Sequence, residues 1–177
     1  MAKRISLREF QRDLAARLGS AQRGGTSRAL LGVESGRGNE RLWLLDLTDS
    51  GEIAPLSSLG TLTPVALTKP WFAGVVNIRG TLYSVVDFSA FRGGEATPRN
   101  SEARVLLIGA RHGSNSALLV NRTLGLHAPT DLSPAQSTGA PTAPWQGKAY
   151  TDQQGGRWTH LNIPALLADN SFLDIAA

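Results

Sequence analysis

The sequence predicts a mainly β protein whose strands close into barrels, with an amphipathic helix at the N-terminus and a short helix at the C-terminus. Three observations carry that reading. Apolar, β-branched runs recur about every 8–12 residues with turn residues between them, the spacing of barrels and sandwiches. The chain of 177 residues holds 19 Gly and 9 Pro, which suits many short strands joined by turns. Residues 75–88 read Val-Val-Asn-Ile-Arg-Gly-Thr-Leu-Tyr-Ser-Val-Val-Asp-Phe, two apolar runs joined by an Arg-Gly corner. Glycine at a two-residue corner supplies the positive φ that a hairpin turn demands, so Arg79 projects at the tip of a stiff platform.

The N-terminal helix is read from Ser6-Leu7-Arg8-Glu9, an S-x-x-E capping box in which each side chain satisfies the other residue's free backbone donor. Leu7, Phe10, Leu14 and Leu18 follow at steps of three or four, and Gly19 stands where a helix terminates. This stripe either packs back on the body or docks on a partner or an anionic surface. Residues 20–26 form a flexible link, so residues 1–27 are set apart from a β domain over residues 28–177, one domain or two small subdomains sharing a core.

Strands are expected over residues 29–33 and 42–47 around a polar turn, then 52–56, after the Asp49-Ser50-Gly51 turn. Residues 61–70 contain Pro64 and Pro70 and form an extended, non-helical connection that leads through Trp71 and Phe72 into the central hairpin. Further strands fall at 104–108 and 117–120, followed by a hairpin over 148–151 and 157–161. Pro164 with Leu166 and Leu167 behind it starts the closing helix. Residues 93–100 separate a first barrel-like half from a second, and residues 129–144, rich in Pro, Ala, Ser and Thr, form a mobile loop.

Charge narrows the function. The net charge is +4, yet residues 1–28 hold seven basic residues against two acidic, while the rest holds 11 basic and 12 acidic. The excess sits on the N-terminal arm and not on a folded body interleaved with aromatics, which argues against a nucleic-acid-binding domain. The absence of cysteine removes thiolate metal sites and a cysteine nucleophile. No secretory leader and no apolar run of membrane-spanning length is visible, so a soluble, cytoplasmic protein without membrane insertion is expected. His112, His127 and His160 lack metal-ligand spacing, no glycine pair forms a phosphate loop, and no G-x-S-x-G elbow serves a triad of His160, Asp87 and a serine. The reading is binding, with no enzyme activity and no cofactor.

Residues 70–88, Pro-Trp-Phe-Ala-Gly-Val-Val-Asn-Ile-Arg-Gly-Thr-Leu-Tyr-Ser-Val-Val-Asp-Phe, resemble the central signature of the CheW-like coupling proteins. Residues 118–125 are similar to the family's second recurring strand, with Asn121 in place of the usual acid. The N-terminal Leu-Arg-Glu-Phe-Gln run and residues 63–72 resemble the twitching-motility (PilI-type) branch. The resemblance implies two small five-stranded, SH3-like β-barrel subdomains sharing a core. It also implies a noncatalytic adaptor that binds the regulatory domain of a CheA-type histidine kinase and the cytoplasmic tip of a methyl-accepting chemoreceptor, in control of type IV pilus motility. By motif, Arg79 and Asn77 would lie in the receptor-binding region, Gly74 near the kinase-facing surface, and Gly80 at the turn. Arg79 otherwise reads as a solvated tip charge, and Gly74 and Gly80 as backbone geometry alone. Trp71 and Phe72 are core or rim, one facing each way, and an exposed aromatic there would serve as an interface anchor. The rival reading is a basic arm that binds nucleic acid or an anionic membrane surface, with the β body as a passive platform.

Overall fold

Two antiparallel-rich sheets pack on each other through a common apolar core. The computed structural model describes residues 29–136 and 141–177. The expected N-terminal helix therefore lies outside the described residues. The first sheet begins with β1 (Leu30–Glu34) and β2 (Leu42–Asp46), after which the chain crosses over. β3 (Ser50–Pro55), β4 (Phe72–Ile78), β5 (Thr81–Asp87), β6 (Arg104–Ile108) and β7 (Ser116–Val120) build a five-stranded sheet in the order β3-β6-β7-β5-β4. The chain then returns as β8 (Arg122–His127), β9 (Leu132–Ala135), β10 (Gln146–Asp152) and β11 (Arg157–Leu161). These complete a six-stranded sheet, β8-β1-β2-β11-β10-β9. Two parallel pairings, β5 with β7 and β2 with β11, knit segments distant in sequence.

The strand runs are apolar at nearly every position because both of their faces are covered. Alternation sends Leu106, Ile108, Leu118, Val120 and Val86 to the shared core, where they meet Leu31, Val33, Trp43, Leu45 and Leu161 of the other sheet. The intervening Val105, Leu107, Ala117, Leu119, Val85 and Val76 gather in a second cluster on the other face of the five-stranded sheet, with Leu56, Leu59 and Leu62 packed against it. Leu30, Leu44, Leu132 and Trp158 form the corresponding cluster of the six-stranded sheet. Each sheet thus turns one face to the shared core and the other to a cluster of its own.

Among the described residues neither sheet closes, which corrects the expectation of two five-stranded barrels. Closure of the five-stranded sheet would require its edges β3 and β4 to pair. Thr63 instead occupies the free edge of β4 at Val75, exchanging two backbone hydrogen bonds with it (2.8 and 2.9 Å). In the six-stranded sheet the edge strand β9 carries Pro134, whose missing N–H suits an edge. Residues 93–100 do not divide the fold either. They lie between β5 and β6 of one sheet, because long-range pairing and not chain order decides sheet membership. The segment over residues 129–144 is not one long loop: β9 pairs along β10, and Trp145 is buried beyond it.

Short helices pin the ends. Asp87 caps α1 (Phe88–Phe91), its carboxylate accepting from Ala90 N at 3.2 Å and from Thr97 N and Oγ1 at 2.7 Å. The expected closing helix is α2 (Ile163–Leu167), capped by Asn162, with Pro164 in its first turn. A further turn, α3 (Asn170–Leu173), is capped by Asp169, whose carboxyl is held below its ordinary range chiefly by the Ser171 hydroxyl. Among the described residues no helix is long and apolar enough to cross a membrane.

Candidate functional site

The β4–β5 hairpin carries most of the residues singled out from the sequence. Its last pair is Ile78 with Thr81, leaving Arg79 and Gly80 as a two-residue loop. Both have positive φ, 50° and 86°, the pattern of a type I′ turn, whose twist matches that of the flanking strands. Asn77 Oδ1 accepts from Gly80 N at 2.9 Å and ties the corner to its own strand. Arginine in the left-handed region costs about 1 kcal/mol, strain of a kind that concentrates at functional corners.

The Arg79 guanidinium is splayed over solvent and grips Glu52 of β3 with two contacts of 3.0 Å, Nη2 to Oε1 and Nη1 to Oε2. β3 and the β4–β5 tip belong to opposite edges of the sheet, so this ion pair spans the mouth that a closed barrel would have sealed. Leu82, paired with Asn77, stands 58% exposed beside it. The tip therefore presents a fixed cation, a carboxylate, an amide and an apolar side chain together.

Residues at the other end of the hairpin do not join this group. Seven residues of β4 place Trp71 and Phe72 roughly 20 Å from the tip at about 3.3 Å per residue. Phe72 is buried, and Trp71 is half-buried, edge-on to Phe91 at 5.1 Å with Lys69 Nζ 5.9 Å from its ring. Both pack on the shared core, so they do not face opposite ways. Gly74 is buried under Thr63 and Pro64. Its φ of 129° and the register shift between Phe72 and Gly74 make a bulge over which the Thr63 bridge passes. Any contribution of Gly74 to a partner surface is made through the backbone it positions.

Two features escape sequence reasoning. Glu52 lies 27 residues from Arg79 on another strand, and no local pattern announces it. Arg92 follows α1 and stacks over Trp43 (4.7 Å) and Phe88 (5.1 Å) while donating to Ser35 O at 2.7 Å. Burial lowers its pKa, an effect that Glu40 partly offsets. Asn121, at the crossing from β7 to β8, accepts from Gly36 N at 2.9 Å through its side-chain Oδ1, while its backbone N donates to Glu34 O at 2.9 Å, so side chain and main chain together anchor the β1–β2 turn.

The titratable groups are engaged elsewhere. His112 Nε2 lies 2.9 Å from Asp49, which Arg111 also contacts; His160 lies 3.4 Å from Asp46; the His127 ring sits 4.5 Å from that of Trp158. Among the described residues no three His, Asp or Glu side chains are grouped to hold a metal ion.

The family model described as the CheW-like domain matches residues 37–171. The chain belongs to the CheW-like domain family. The match takes in β2 to β11 and hence the whole hairpin. This CheW-like chain is 28% identical over 136 residues to Protein PilI of Pseudomonas aeruginosa, covering 70% of the chain and 73% of that protein. The crystal structure of the scaffolding protein TtCheW from Thermoanaerobacter tengcongensis has the same fold, with a TM-score of 0.65 at 14% identity. That likeness covers 82% of this CheW-like chain and 96% of TtCheW.

Replacing Gly80 with valine tests the corner. No heavy atom lies within 4 Å of a Cβ built there, so the cost is backbone strain alone, about 1–2 kcal/mol. The denaturation midpoint should fall with an unchanged m-value. An undiminished midpoint would show that the turn is not left-handed in solution.

Proposed function

We propose that this chain is a noncatalytic cytoplasmic adaptor that couples a methyl-accepting chemoreceptor-type protein to a CheA-type histidine kinase in the control of type IV pilus twitching motility. The observation that carries the reading is the CheW-like match across both sheets, from residue 37 to 171. Likeness to PilI supports the assignment to pilus control, and likeness to a scaffolding protein supports the adaptor role. Arg79, Asn77 and Gly80 form the receptor-facing corner, and the Gly74 bulge with Trp71 and Phe72 supports the kinase-facing end.

The two interfaces then lie at opposite ends of one hairpin. Holding both partners on a rigid scaffold raises their effective concentration for each other. Receptor signalling shifts the kinase between arrangements, and the adaptor transmits geometry without doing chemistry.

Calorimetric titration with the regulatory domain of a CheA-type kinase from the same genome, at two salt concentrations, tests the reading. Saturable one-to-one binding that persists at the higher salt is the expected result. No binding by the folded chain would remove the kinase surface and return the basic N-terminal arm to first place. Arg79→Glu should leave the melting temperature within a few degrees, because an exposed ion pair contributes at most about 1 kcal/mol. Receptor-tip binding should weaken by about 2 kcal/mol or more if the arginine anchors the interface. Unchanged receptor binding by the folded variant would refute the assignment.

A further inference from the structure

Four buried side-chain polar atoms lack a hydrogen-bond partner among the described residues, and three of them belong to one place. They are the hydroxyls of Ser35 and Ser89 and the Nε of Arg92, where the residue after β1 meets α1 and the residue that follows it. Ser35 is 0% exposed and Ser89 1%, so bulk solvent satisfies neither hydroxyl. Buried polar groups left in that condition cost stability, and native folds supply them with protein, water or ion partners.

The three residues are tied together. Arg92 Nη2 donates to Ser35 O at 2.7 Å, and Arg92 N donates to Ser89 O at 3.2 Å. A Cβ built on Gly36 would lie 3.0 Å from Arg92 Nη2 and 3.0 Å from Ser89 Oγ. One built on Gly94 would lie 2.9 Å from the same oxygen. Two glycines thus keep the approaches to the Ser89 hydroxyl clear, and the gap beside Gly36 is bounded by a guanidinium nitrogen and a hydroxyl.

The donor set selects the ligand. All three groups can donate a hydrogen bond, and the Nε–H can do nothing else. The guanidinium lies over the rings of Trp43 and Phe88 and bonds the carbonyls of Ser35 and Glu40, so no carboxylate among the described residues grips it. A desolvated cation of this kind favours a negative charge beside it. A gap the size of one Cβ excludes oxyanions and carboxylates and leaves a monatomic anion.

We infer that the Ser35 and Ser89 hydroxyls and the Arg92 Nε–H bind a single halide, chloride by class, which fastens the β1–β2 turn to α1. The site stands apart from the adaptor reading, since it uses no residue of the β4–β5 hairpin.

The probe is chloride itself, exchanged for gluconate at constant ionic strength with the full chain. At chloride ten times its dissociation constant the melting temperature should rise by about 3–6 °C, and bromide should substitute for it. Ser89→Ala and Ser35→Ala each delete one hydroxyl, so either variant suffices should the other fail to fold. The rise should vanish in them, while their melting temperature in gluconate stays at or above the parent's, because the deleted group had no partner there. The excess chloride NMR linewidth given by the parent should fall by at least half with either variant. An equal rise in parent and variants would assign the chloride effect to another part of the chain and overturn the inference. No rise in the parent would leave the hydroxyls to water and overturn it as well.

Discussion

Gly74→Ala is expected to destabilise the fold by about 3 kcal/mol, lowering the melting temperature by roughly 6–12 °C for a chain of this size. A φ of 129° is a region that L side chains rarely adopt. A Cβ there would also run into the carbonyl oxygen of Thr63, with Thr63 C at 2.8 Å and Pro64 Cα at 3.2 Å. These are backbone atoms, so no side chain can swing aside. Relief requires the Thr63–Val75 bridge to open, which forfeits two hydrogen bonds of about 1 kcal/mol each. The variant should also lose the shape of the end proposed to face the kinase, while Arg79, about five residues along the strand, stays in place. A melting temperature within two degrees of the parent would show that the bulge relaxes freely, and the proposed role of Gly74 would fall with it.

Trp43→Ala should cost about 3–5 kcal/mol, the range for deleting a buried aromatic from a packed core. Trp43 is almost wholly buried and meets Phe88 edge-on at 5.2 Å and Trp145 at 5.9 Å. Arg92 lies over its ring, and its Nε1 donates to Glu40 O at 3.1 Å. The side chain thus joins the six-stranded sheet, α1 and the segment before β10 in one cluster. Truncation leaves a cavity and removes the aromatic face from a partly desolvated guanidinium. Trp43→Phe should restore part of the loss by refilling the space and restoring a ring under Arg92. Thermal or denaturant unfolding of both variants decides the matter. A Trp43→Ala variant close to the parent would mean that the two sheets are not held together through this core.

Two strands could be read residue by residue, for different reasons. β6 (Arg104–Ile108), buried at four of its five positions, falls where its apolar run places it, and the half-buried β11 (Arg157–Leu161) falls where the turn before it places the return strand of a hairpin. β8 reads poorly, because an edge strand with Gly125 in it and an exposed Leu126 shows neither alternation nor a continuous run. β9, with the sequence Leu-Ser-Pro-Ala, sits inside a segment whose composition signals a loop. Its strand conformation comes from pairing with β10, which no local pattern records.

The same division runs through the candidate site. Local backbone chemistry settled the Arg79-Gly80 corner, the Asp87 cap and the Asn162 cap, because each is made by residues within a few positions of one another. The family signature also lies in one continuous stretch. Long-range contacts settled the rest: Thr63 on the edge of β4 keeps the sheet from closing, and Glu52 holds the guanidinium of Arg79 across its mouth. The folding back of β8 to β11 beside β1 and β2 leaves 93–100 as a connection between two strands of the same sheet. Such pairings depend on which of several similar apolar strands meet, and the energy that selects among them is the burial of both faces at once, a property of the assembled sheets and of no single segment.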